Sequence, residues 1–92
     1  MQLSEIDAFL AVVKTGSLSA AAEQLYVTQP TLSHRIQSLE KELGYRLFSR
    51  SKGLRHVEMT PEGREFIMTA EKWSSLWVES KNIGKMSPKP VF

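Results

Sequence analysis

Apolar residues recur along the first part of the chain at helical spacing. Ile6, Phe9, Leu10 and Val13 fall at i, i+3, i+4 and i+7, which is one stripe of a helix. Ser4 follows Leu3, and Ser4 with Asp7 has the form of a capping box in which a short acid replaces glutamate. Gly16 is expected to end this helix, because glycine takes the left-handed exit at little cost. Ser17 then caps a second, short helix on which Leu18, Ala21, Ala22 and Leu25 repeat the spacing. The alanines let another helix approach closely, as two helices crossing steeply require. Tyr26 and Val27 form the turn. Thr28 caps a third helix, with Pro30 in the first turn where no backbone donor is missed. Leu32, Ile36, Leu39 and Leu43 make a narrow stripe at i, i+4, i+7 and i+11, and Gly44 closes it.

After Leu47 and Phe48 the period changes. Val57 and Met59 alternate with His56 and Glu58, and Lys52, Gly53 and Leu54 supply a turn upstream. Residues 47–51 and 55–59 therefore read as two short antiparallel strands. Thr60-Pro61 is a cap followed by a first-turn proline, and Phe66, Ala70, Trp73 and Trp77 share one face of the helix that follows. That helix is expected to run to about Lys81, with Lys85, Ser87, Pro88, Lys89 and Pro90 marking a linker or tail beyond Gly84. The fold class is mainly α: a winged helix-turn-helix with a three-helix core and a two-stranded wing, plus a long C-terminal helix. The expected organisation is a domain over 1–60, the long helix over 61–83 and a tail over 84–92. No internal repeat interrupts it.

Composition narrows the function classes. At 92 residues the chain holds one modest core. The net charge of +2 is a weak hint by itself, so the distribution of charge matters more than its sum. Cysteine is absent and there are two isolated histidines, so neither a disulfide nor a metal site is expected. A reducing cytoplasm fits. The amino terminus lacks the form of a secretory signal, and no apolar run approaches a membrane span. No phosphate-cradling glycine loop and no nucleophile–base–acid set is brought together by the helical geometry, so neither enzyme chemistry nor a cofactor is expected.

The third helix carries the candidate chemistry. With its leucines inward at about 100° per residue, Pro30, Ser33, His34, Gln37 and Lys41 point outward, and Gln29 and Thr31 flank the start. A short helix, a tight turn and a longer helix is the plan that lays its second helix in the DNA major groove. Glutamine can pair with the N6 and N7 of adenine, while serine and threonine bond base edges or phosphate. The outward amino-terminal half bears no acid before Glu40. Between Arg46 and His56 lie Arg46, Arg50, Lys52 and Arg55 without an acid, as a wing touching phosphates or the minor groove requires. Lys52 and Arg55 near the tip are the better candidates, with Arg46 expected to pair with an acid such as Glu42. Each residue alone also fits a solvated helix face or a basic loop, and a protein-interaction face would use the same surface. The joint pattern favours double-stranded DNA.

The sequence resembles the amino-terminal domain of LysR-type transcriptional regulators. The matching stretches are Phe9 with Val12 and Val13, Gly16-Ser17-Leu18-Ser19-Ala20-Ala21-Ala22, Leu25, and Thr28-Gln29-Pro30-Thr31-Leu32-Ser33. They continue through Ile36, Leu39-Glu40, Leu43-Gly44, Leu47-Phe48, Arg50 and Met59-Thr60-Pro61-Glu62-Gly63. The resemblance implies that Thr28, Gln29, Pro30, Thr31, Ser33 and His34 face DNA, and that Lys52 or Arg55 reaches toward the minor groove. In the wing, Lys52-Gly53-Leu54 departs from the common pattern and the segment is slightly longer. The resemblance also implies that the helix over 61–81 pairs with its copy in a second subunit, and that a small-molecule effector acts through a separate domain of periplasmic-binding-protein type. The present chain has no room for that domain and is expected to be a fragment of a longer regulator.

The last helix bears on assembly. Three short helices cover only its beginning, so an indole face would be left in water, and a contiguous apolar patch of that kind marks a binding surface. A homodimer through Phe66, Ala70, Trp73 and Trp77 is expected; packing of the same stripe within the chain is the alternative. Two recognition helices on a twofold axis would read two half-sites.

Overall fold

The computed structural model describes residues 1–49 and 57–86, the side chains of residues 85 and 86 excepted. In chain order the elements are α1 (Leu3–Thr15), α2 (Leu18–Gln24), α3 (Gln29–Leu43), β1 (Phe48–Ser49), β2 (Glu58–Met59) and α4 (Pro61–Met86). The strands pair antiparallel, Phe48 opposite Met59 and Ser49 opposite Glu58. Each spans two residues among those described; Leu47 and Val57 of the expected strands over 47–51 and 55–59 are not in strand, and the remainder lies outside the described residues. Residues 50–56 lie outside the described residues.

The caps set the corners. Ser17 Oγ accepts the Ala20 N–H at 3.2 Å, and Thr28 Oγ1 accepts the Thr31 N–H at 3.3 Å. Gly16 and Gly44 end α1 and α3 at φ 74° and 86°, each returning its N–H to a carbonyl of the last turn. The start of α1 differs from expectation. Its N-cap is Gln2, whose N–H donates to Glu5 Oε1 at 3.0 Å, and Ser4 lies inside the helix. The longer carboxylate of Glu5 reaches back three residues, the geometry a capping box needs, and Glu5 is buried there.

α1 is central: it packs against α2, α3 and α4. Its buried face is accordingly wider than one stripe, with Ile6, Ala8, Phe9, Ala11 and Val12 enclosed and Leu10 and Val13 on the margin. Leu32, Ile36 and Leu39 of α3 are buried against it, Leu43 only partly. Phe9 gathers the aromatic part of the core, with ring centroids 5.5 Å from Phe48 and 5.2 Å from Phe66, the latter edge-on.

The base of the wing is fastened at three places. Val57 N–H donates to Gly16 O at 3.2 Å, Thr60 N–H to Leu47 O at 3.0 Å, and the Thr60 hydroxyl accepts the Gly63 N–H at 2.9 Å. Thr60 thus caps α4 while closing the sheet. α4 continues to Met86, past the expected end near residue 81 and through Gly84. One interior glycine costs a helix about 1 kcal/mol, too little to stop one already propagating.

Candidate nucleic-acid interface

The turn between α2 and α3 fixes how α3 leaves the core. Tyr26 N–H donates to Glu23 O at 3.2 Å and Val27 N–H to Ala22 O at 3.0 Å. Tyr26 itself sits at φ 57°, the one non-glycine residue with positive φ among the described residues. Val27 then packs on the core, and the chain extends through Thr28 into α3.

Thr28, Gln29, Pro30, Thr31, His34 and Gln37 are exposed, and Ser33 is half-buried at the edge of the same surface. The opposite face of α3, carrying Leu32, Ile36 and Leu39, is fully engaged. The helix therefore presents a polar row from a rigid base. The two threonines do different work. Thr28 caps the helix and donates its hydroxyl to Thr31 Oγ1 at 2.8 Å, which leaves the Thr31 hydroxyl as the donor turned to solvent. Pro30 has no N–H, and the Leu32 N–H is returned to Thr28 O at 3.0 Å. The Gln29 N–H has no partner among the described residues, so one backbone donor at the positive end of the α3 dipole is free for an anion.

No acid lies in the first turn of α3. Glu40, the first acid along the helix, is not a free surface charge: its Oε2 accepts the Leu47 N–H at 2.7 Å and the Phe48 N–H at 3.3 Å. Arg46 departs from expectation. It does not pair with Glu42, whose carboxylate lies 2.6 Å from the Met1 amino group; instead Arg46 Nε donates to Phe48 O at 3.4 Å. The remaining basic candidates, Arg50, Lys52 and Arg55, lie outside the described residues. Tyr26, expected only as part of the turn, is 95% exposed beside the start of α3. The signal was present: a bulky aromatic at a tight inter-helix turn, where glycine or asparagine is usual.

The family model for bacterial regulatory helix-turn-helix proteins of the lysR family matches residues 3–64. The chain belongs to that family. It is 41% identical over 81 residues to a helix-turn-helix transcriptional regulator in the ibpB–leuC intergenic region of Azotobacter vinelandii, an alignment covering 88% of this chain and 55% of that one. It is 46% identical over 72 residues to the transcriptional regulator BenM of Acinetobacter baylyi, covering 78% of this chain and 23% of BenM. The chain thus spans between about a quarter and about half the length of these relatives. Among solved structures it is similar to the CbnR DNA-binding domain crystallised with DNA, with a TM-score of 0.87, 31% identity, and coverage of 97% of this chain and all of that one. The LysR-type winged helix-turn-helix is the fold, and the family is regulatory rather than enzymatic.

The stripe on α4 divides. Phe66 and Ala70 are buried in this chain's own core, and Trp73 is partly buried against it. Phe66 and Ala70 thus follow the alternative of packing within the chain, and the exposed part of the stripe lies further along α4. Further along, Trp77 is 49% exposed, with Lys81 Nζ 5.9 Å from its ring centroid. Leu76, Val78 and Ile83 are exposed as well. Among the described residues no group of three or more acidic, histidine or cysteine side chains is placed to hold a metal, and no helix is long and apolar enough to cross a membrane.

Proposed function

We propose that this chain is the operator-reading part of a transcription regulator, binding double-stranded DNA with α3 in the major groove. The observation that carries the reading is the exposed row of Gln29, Thr31, His34 and Gln37, with half-buried Ser33 at its edge, on a helix whose other face is locked into the core. Gln29 and Gln37 have the two-atom amide edge that pairs with adenine, and the Gln29 N–H and Thr31 hydroxyl suit phosphate. The DNA complex of the similar CbnR domain supports this placement. Arg50, Lys52 and Arg55 would meet the flanking phosphates or the minor groove from the wing.

A second copy of the chain would cover the distal part of α4, where Leu76, Trp77 and Ile83 stand in water. The pair would then read two half-sites, each weak alone and strengthened by the linkage. The working place of such a regulator is the bacterial cytoplasm, and an effector would act through a separate domain of the longer protein.

Selection from a pool of random duplexes tests the reading. The chain should enrich a motif with twofold character, and its affinity should fall steeply as salt rises, because phosphate contacts release counterions. A pool that stays random after repeated selection would favour the alternative, in which the same face docks another protein.

A further inference from the structure

We infer that Tyr26 is a DNA-positioning residue, its hydroxyl donating to a phosphate of the strand beside the groove that α3 enters. The inference rests on the DNA-reading function proposed above. Tyr26 holds a left-handed backbone, φ 57°, which glycine adopts freely and asparagine with modest strain but which a bulky side chain disfavours. Burial returns nothing to the chain, because the side chain is 95% exposed. Nor does the phenol hydroxyl make a hydrogen bond to any described residue. Inside the chain the tyrosine is therefore only a cost, and backbone outliers of this kind gather where a ligand offsets them.

Its place in the fold names the ligand. The turn is clamped by the Glu23 and Ala22 carbonyls, so the Tyr26 backbone, and with it the Cα–Cβ direction, is held with respect to α3. One residue, Val27, separates it from the Thr28 cap, a Cα distance of at most about 7.6 Å. With the start of α3 at the base edges, a side chain of tyrosine length at this turn stands over the flanking sugar–phosphate strand. A neutral O–H suits that strand as a hydrogen-bond donor and carries no sequence information.

Tyr26→Phe and Tyr26→Asn in the whole chain test it, by binding to the selected operator and to a random duplex across a salt series, with thermal melting alongside. Both variants should lose roughly 3- to 10-fold in affinity, as one hydrogen bond implies, and equally on the two duplexes. The salt slope should stay as in the wild type, since a neutral donor displaces no counterion. Tyr26→Asn should melt above the wild type, so that stability rises while binding falls. Unchanged affinity in both variants overturns the assignment. So does a loss confined to the operator, which marks a base reader, or a loss with asparagine but not phenylalanine, which marks ring packing. A wild-type chain that binds neither duplex sinks the DNA reading itself, a result distinguishable from all of these.

Discussion

The carboxylate of Glu40 accepts the backbone N–H of Leu47 at 2.7 Å, joining the recognition helix to the first strand of the wing. The same oxygen takes the Phe48 N–H at 3.3 Å, so one side chain satisfies the two donors where the chain turns from α3 into the sheet. Wing and helix would meet different parts of a duplex, and their relative position depends on this seam. Replacing Glu40 by alanine leaves both donors without their partner. Chemical denaturation should show Glu40→Ala destabilised by about 1–3 kcal/mol, the usual loss for hydrogen bonds to a charged acceptor, with Glu40→Gln intermediate. An Ala variant as stable as the wild type would show that water replaces the carboxylate at no cost.

Gly63 is the second point of close approach. A β-carbon there would run into the Leu47 carbonyl, whose carbon would lie 3.0 Å away, and that carbonyl is held by the Thr60 N–H. Gly84, also in α4, has open space around it. The two glycines should therefore respond oppositely to alanine. Gly63→Ala should destabilise by about 1–3 kcal/mol through overpacking, despite alanine's better helix propensity. Gly84→Ala should be neutral or stabilising by up to about 1 kcal/mol. Equal melting shifts in the same direction would contradict the packing at Leu47.

Much of this fold is legible in the residues because its corners are local. Ser17, Thr28, Gly16 and Gly44 declare the ends of the first three helices by their own backbone and capping chemistry, and the polar row of α3 follows from the spacing of Leu32, Ile36 and Leu39. What is not legible depends on distant partners. Glu40 reads as a surface acid until the chain returns to it at Leu47. For Phe66 and Ala70 the spacing leaves open whether the stripe packs within the chain or on a partner, and only the contact of Phe66 with Phe9 shows the first. The α1 cap falls at Gln2, answered by Glu5, two residues before the Ser4 cap that the spacing suggests. Tyr26 is legible as a bulky aromatic in a tight turn, but its positive φ is not.

Desolvation raises the Asp7 carboxyl above its usual range. For an acid, a raised pKa in the folded state means that the folded chain holds the proton more tightly. Its contribution is favourable when protonated and is lost as pH rises through the folded value. At neutral pH the charge is therefore a burden, and Asp7→Asn should melt higher than the wild type. Repeating the melts down through the carboxylate range should shrink that gap. A gap that widens on acidification would reverse the sign of the shift.

The exposed half of α4 separates self-association from folding. Trp77→Asp removes an indole that is half in solvent, so the monomer fold should survive while sedimentation shows weaker self-association and operator affinity falls with it. Trp73→Asp strikes a side chain packed on the core and should lower the melting temperature first. An unchanged association state for the folded Trp77 variant would move the contact elsewhere on the chain.

Binding of Gln29→Ala and Ser33→Ala to the selected operator and to a random duplex, at one salt concentration, measures the role of α3 most directly. The expected result is a loss of about 1–3 kcal/mol on the operator for each paired base contact removed, with the random duplex much less affected. Full operator affinity in both variants, or an equal loss on the two duplexes, would contradict base reading by this helix.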